Sequence, residues 1–236
     1  MHHPAPATDV AISVRPDRVT IGLLALAAAF VVANAASVAL QLQERTILGL
    51  VSLFDADIEL SAPTWFSTAL LAIAAALMWT ISRVPAEARD ARNWRFLAVV
   101  LVIMSIDEIG AYHEYWTGPL RRSIDGSGLL YASWVVPAAV LVLLIGLTQI
   151  AFLRRLHRPT AVRLVASGAI FVTGALGVES LGASYAEANG TGAGYLAHAA
   201  VEEALEMVGS IGVIRALLKH LEHRTGAVRL ELAPAS

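Results

Sequence analysis

The sequence predicts an all-α fold, a six-helix transmembrane bundle with both termini cytoplasmic, from three observations. Of the 236 residues, 57% are hydrophobic and only 15% charged, and a mean hydropathy of +0.65 does not fit a water-soluble globule. Six stretches are each long enough to cross a bilayer core of roughly 30 Å, which takes about 20 mostly apolar residues per helix. Lys and Arg crowd into alternate connections between them.

Residues 1–18, with His2, His3 and several prolines, read as a disordered cytoplasmic leader. The first span, 19–43, is too long for a signal-peptide core and has no small-residue cleavage pattern after it, so it is a retained helix. Spans 65–82 and 129–153, like the first, contain no charged residue. Spans 96–116, 164–185 and 194–221 carry acids and histidines among their apolar residues, which completes a transmembrane domain over 19–221, with 222–236 as a cytoplasmic tail. Small residues such as Ala27, Ala28, Ala29, Ala33, Ala35 and Ala36, and Gly174, Gly177 and Gly182, let helices approach closely in lipid, where association rests on dispersion. Pro137 is expected to bend the fourth helix or begin its regular part.

Orientation follows from the flanks. Arg15 and Arg18, the four arginines between 83 and 95, the four between 154 and 163, and Arg215, Lys219, Arg224 and Arg229 fall on one side. The other side receives Arg45, Arg121 and Arg122, so the split of the 17 cationic residues is fourteen to three. The positive-inside rule then makes both termini cytoplasmic. The 17 Lys+Arg against 19 Asp+Glu leave no excess of positive charge for a phosphate backbone, which argues against nucleic-acid binding. With no cysteine there is no disulfide, thiolate ligand or thiol nucleophile, so His, Asp and Glu must carry any chemistry.

The informative residues are therefore Asp107, Glu108, His113 and Glu114 in the third span, Glu179 in the fifth, and His198, Glu202, Glu203 and Glu206 in the sixth. An acid at the centre of a spanning helix costs about 2.5–3.5 kcal/mol on insertion scales, so several of them must share a compensating interaction. At 1.5 Å per residue Asp107 lies roughly 16 Å from the cytoplasmic edge and Glu202 roughly 12 Å from the outer edge, which puts the acids of three helices in one layer. At about 100° per residue His198, Glu202, Glu206 and Gly209 form one stripe facing one neighbour, Asp107 and Glu114 share a face, and Glu108 and Glu203 point to the side.

Acids gathered in a dry layer must bind cations, keep protons or pair with bases, and no Lys or Arg lies in the layer. Carboxylates with one or two imidazoles suit iron, manganese or zinc, as one divalent ion or a carboxylate-bridged pair. The expected ligands are Asp107, His113, Glu114, Glu179, His198, Glu202 and Glu206, with Glu108 or Glu203 as general base or proton carrier. The spacing matches neither Glu-x-x-His nor His-Glu-x-x-His.

Other features read as structural. Tyr112, Tyr115, Trp116, Tyr131, Trp134, Trp65, Tyr185 and Tyr195 form an aromatic belt at the outer boundary. Asp55, Asp57 and Glu59 read as a solvated loop without EF-hand spacing. Asn34 and Ser105 could donate to the acids or bond to a neighbouring helix, and Arg121 and Arg122 could meet an anionic substrate or headgroup.

The strings Pro63-Thr64-Trp65-Phe66-Ser67, Ser105-Ile106-Asp107-Glu108 followed by His113-Glu114, Gly177-Val178-Glu179, and Val201-Glu202-Glu203-Ala204-Leu205-Glu206-Met207 resemble those of a widespread group of small bacterial multi-pass membrane proteins without an assigned activity. The resemblance implies a bacterial inner-membrane location. It lends no catalytic assignment. A faint echo between the halves, Asp107-Glu108 and Glu202-Glu203, has the inverted sense found in many transporters.

Three functions fit these residues. The first is a metal-dependent enzyme, hydrolase or oxidoreductase, acting on a lipid-like small molecule within membrane lipid. The second is a proton or divalent-cation transporter using the same acids, against which weighs the lack of any stretch reading as a discontinuous helix. The third is a bis-histidine haem protein using His113 and His198, which sits badly with the carboxylates around them. No sequence feature sets the oligomeric state.

Overall fold

A computed structural model describes residues 10–43, 45, 47, 49–58, 60–226 and 228–232. His2, His3, Glu59 and the last four residues of the expected tail lie outside the described residues. The element order is β1 (Val10–Val14), α1 (Pro16–Gln41), α2 (Leu50–Phe54), α3 (Ala62–Ile81), α4 (Ala91–Gly110), α5 (Tyr112–Ile124), α6 (Val135–Arg155), α7 (Arg158–Val172), a π-helical segment (Thr173–Val178), α8 (Glu179–Asn189), α9 (Ala193–Thr225) and β2 (Val228–Leu232), with short 3-10 turns at Pro85–Glu87 and Gly128–Leu130. Val10–Val14, inside the stretch expected as a leader, pairs antiparallel with β2 in the register Val10↔Leu232 to Val14↔Val228. This two-stranded ribbon joins the start of α1 to the end of α9.

Four helical stretches are long and apolar enough to cross a membrane: Pro16–Gln41, Ala62–Ile81, Val135–Arg155 and Arg158–Asn189. The last runs from α7 through the π segment into α8. A fifth is obtained if α4 and α5 count as one span, but they are bent by 81° at Ala111. The uninterrupted third helix expected over 96–116 is thus broken. The sixth expected span corresponds to α9, which is outside that set because Glu202, Glu203, Glu206, Arg215 and Lys219 dilute its apolar run.

Despite its charges α9 is the central helix, packed against α1, α3, α7, the π segment and α8. Its buried residues begin only at Glu206 and continue through Met207, Ile211, Ile214, Leu217 and Leu218 to Leu221. They join Leu70, Ala74, Met78 and Ile81 of α3, Trp94 and Ala98 of α4, and Phe152 and Leu156 at the end of α6 in one apolar core. That core fills the half of the molecule nearest the chain ends. The surface is apolar where a soluble protein would be polar: α6 exposes Val140, Leu141, Leu143, Leu144 and Leu147, and α4 exposes Val99, Val102, Ile103 and Ile106.

Small residues set the closest crossings. A Cβ at Gly209 of α9 would lie 2.7 Å from the Phe171 backbone nitrogen and 2.9 Å from its Cα, so α7 and α9 touch backbone to side-chain-free backbone. Gly174 and Gly182 serve the same interface, whereas Gly177 does not: a Cβ there would meet only Thr173, at 3.9 Å. Ser105 donates to the Thr68 carbonyl at 3.0 Å and ties α4 to α3, while the Asn34 side chain accepts from the Ala56 N–H at 2.9 Å. Both polar groups hold backbone rather than acids.

Candidate functional site

The break after α4 has a local cause. Ala111 adopts the left-handed conformation, φ 41° and ψ 40°, and is at once the last cap of α4 and the first of α5. Gly110 permits it, since a Cβ there would lie 2.4 Å from the Tyr112 ring. Asp107 then reaches across the corner: one oxygen accepts the His113 N–H at 3.1 Å and the other lies 2.7 Å from His113 Nδ1. Asp107 thus satisfies an otherwise unpaired donor at the start of α5 and orients the His113 imidazole, whose ring packs at a tilt of 45° against Trp134, 4.4 Å between centroids. Asp107 and Glu114 consequently lie on separate helices, and the shared face expected for them does not form.

The stripe on α9 keeps its expected single neighbour, the continuous helix from α7 to α8. His198 packs with its Cβ 3.0 Å from where a Cβ of Gly182 would lie, and its ring is 5.4 Å from that of Tyr185. The Glu202 and Glu179 carboxyl groups lie within electrostatic range of each other. Glu206 packs over Gly174, where an added Cβ would meet the Glu202 carbonyl oxygen at 2.9 Å and Glu206 Cγ at 3.3 Å. The π segment holds an extra residue per turn and so resets the azimuth at which the following Glu179 meets α9. Trp134 Nε1 donates to Glu179 at 3.4 Å.

Glu203, one residue round from Glu202, faces α3, where Ser67 Oγ donates to its Oε2 at 3.5 Å. Glu108, expected to point aside, comes instead within electrostatic range of Glu202, Glu203 and Glu206. The structure therefore brings together Glu108, Glu179, Glu202, Glu203 and Glu206 from three helices. Among the described residues no Lys or Arg forms an ion pair with any of the five. Asp107 and His113 form a neighbouring pair, with Glu114 and Glu179 within electrostatic range of the imidazole. His198 stands apart from the acids in its polar contacts: its Nδ1 donates to the Gly194 carbonyl at 2.7 Å. Among the described residues no group of three or more His, Asp or Glu is arranged to hold a metal ion, so the expected seven-residue ligand set is not assembled as one sphere.

Two polar residues join the acidic end that the loop reading set aside. Asp55 is buried, accepts from Gln41 Nε2, and accepts the Asp57 N–H at 3.0 Å, so this part of the loop is not a solvated acidic run. Asp57 in turn accepts from Tyr195 OH at 2.8 Å and is within electrostatic range of Glu179 and Glu203. The Asp-x-Asp spacing signals a turn, but its partner Tyr195 lies far along the chain. Arg121, a candidate for an anionic substrate, donates to the Tyr131 carbonyl at 2.7 Å and lies 3.4 Å above the Tyr131 ring. It locks the end of α5 to the following turn.

The chain belongs to the family described as a domain of unknown function, DUF8692, which matches residues 23–221. The match runs from within α1 to within α9 and takes in every acid of the cluster. No curated protein and no solved structure matches the chain.

Proposed function

We propose that this member of the family is a bacterial inner-membrane protein of six spans, with both termini cytoplasmic, that takes up and passes protons, or a small divalent cation, at its cluster of glutamates. The fourteen-to-three division of Lys and Arg supports the orientation. The central position of α9 supports counting it as a span, because its acids face other helices rather than lipid.

The gathering of Glu108, Glu179, Glu202, Glu203 and Glu206 from three helices carries the reading. Carboxylates gathered away from water repel one another unless one takes up a proton or they share a cation. Among the described residues no Lys or Arg pairs with any of the five, so the cluster offers more acceptor oxygens than negative charges it can hold, which is the condition for loading and releasing a positive species. The break between α4 and α5 removes the objection that no span is discontinuous, and it lies beside Glu108.

Proteoliposomes carrying an internal pH indicator test this. The native chain is expected to dissipate an imposed proton gradient, and Glu202→Gln to slow it about a hundredfold. Undiminished flux in both Glu202→Gln and Glu206→Gln overturns the proposal. One observation favours the metal-enzyme reading: with Nδ1 of His198 donating to a backbone carbonyl, its Nε2 lone pair is left as the acceptor, the usual state of a ligand or general base. Stoichiometric iron, manganese or zinc in purified protein that is lost in both His198→Ala and Glu202→Ala would establish that reading instead.

A further inference from the structure

The opposite end of the molecule sorts its cations into two groups. Arg155 pairs with Asp90 at 2.5 Å, Arg224 with the buried Glu87, and Arg215 and Lys219 each with Asp17 at 3.0 Å. Those pairs consume the nearby carboxylates. Arg83 and Arg95, at the corner between α3 and α4, form no ion pair among the described residues. Both are exposed, and both guanidinium groups lie over one indole, that of Trp79, at 5.7 and 6.0 Å from its centroid. Ser82 Oγ accepts from Arg95 Nε at 3.3 Å and fixes one of the two forks.

Trp79 is itself 41% exposed, so this basic and aromatic corner faces outward at the last turn of an apolar helix. Along α4 the surface one, two and three turns beyond Arg95 is Val99, Val102 and Ile106, all exposed. Two uncompensated guanidinium groups at the head of an apolar strip complement a molecule with an anionic head and apolar tails. Arginine presents a planar donor fork that matches phosphate oxygens, and an indole prefers the headgroup level of a bilayer.

We infer that the Trp79–Arg83–Arg95 corner is a binding site for an anionic phospholipid, its phosphate held between the two guanidinium groups and its chains lying along α4. The inference does not depend on the glutamate cluster.

Full-length protein in detergent micelles, titrated with phosphatidylglycerol brominated on its chains, tests it by quenching of tryptophan fluorescence. A saturable component of the quenching is expected in the native chain, is expected to be lost in Trp79→Phe, and is expected to need about a 25-fold higher lipid concentration in Arg83→Gln/Arg95→Gln, fivefold per guanidinium removed. Arg158→Gln/Arg163→Gln, on the next corner of the same end, is expected to leave the titration unchanged. Equal weakening by the two double variants would reduce the effect to overall surface charge and overturn the site. So would a saturable component that survives Trp79→Phe, a result that stands even where the arginine variant does not fold. Brominated phosphatidylcholine binding as tightly as phosphatidylglycerol would overturn the anionic preference.

Discussion

Glu87 and Glu206 are nearly equally shielded, 3% and 8% exposed, yet their surroundings have nothing in common. Glu87, in the turn before α4, accepts from Trp94 Nε1 at 3.1 Å and from Arg224, and lies 3.3 Å from His220 Nε2. Its charge is answered from both sides, and the residues that answer it hold the end of α9 to the α3–α4 corner. Glu206, on the same α9 about three turns or more away, packs over Gly174, and among the described residues the charged groups acting on it are all carboxyl groups. Burial of an acid is thus not one phenomenon in this protein. Where a base is supplied, the acid is part of the framework; where none is, the framework carries a charge problem that a proton or cation must solve.

The largest effect is expected from exchanging these two acids' partners. Glu87→Ala leaves Arg224 and the Trp94 indole without their acceptor and is expected to cost about 3–5 kcal/mol, read as a lowered unfolding temperature in detergent. Glu206→Gln removes no base's partner and is expected to shift stability by less than about 1 kcal/mol while cutting proton flux. Reversal of that order would dissolve the distinction between the two ends.

A middle-sized effect sharpens the comparison at the seam between the ends. Gly209→Ala places a methyl group against the Phe171 backbone, which cannot rotate away, and is expected to cost about 1–3 kcal/mol. Gly177→Ala, facing open space, is expected to fall within about 0.5 kcal/mol of the native chain in the same thermal assay. An effect of the opposite sign belongs to the break beside Glu108. Ala111→Gly relieves the left-handed backbone and is expected to stabilise by about 1 kcal/mol, with the unfolding temperature rising and the α4–α5 bend retained.

Much of this arrangement was readable before any coordinates. Apolar stretches announce helices because a bilayer core admits few alternatives. Ionisable residues inside such stretches mark themselves, and the 3.6-residue period placed His198, Glu202, Glu206 and Gly209 on one face of α9, where they meet α7 to α8. The same period failed across residues 107–114, since it assumes an unbroken helix and Gly110-Ala111 carries no strong breaker signal. Only after the corner forms can Asp107 cap α5 and Glu108 join the acids of α9. The π segment before Glu179 was equally invisible, because no local signal marks it and the close fit of its Gly174 is made with α9, far along the chain.

The sequence alone determined the composition of the helices and which acids lie within them, since these depend on local hydropathy and short spacings. Tertiary structure decided which of those acids would meet one another, which would receive a base, and that Asp57 would bond to Tyr195. Such pairings join residues distant in the chain, and their geometry exists only once helix breaks and close crossings have fixed where each side chain can reach.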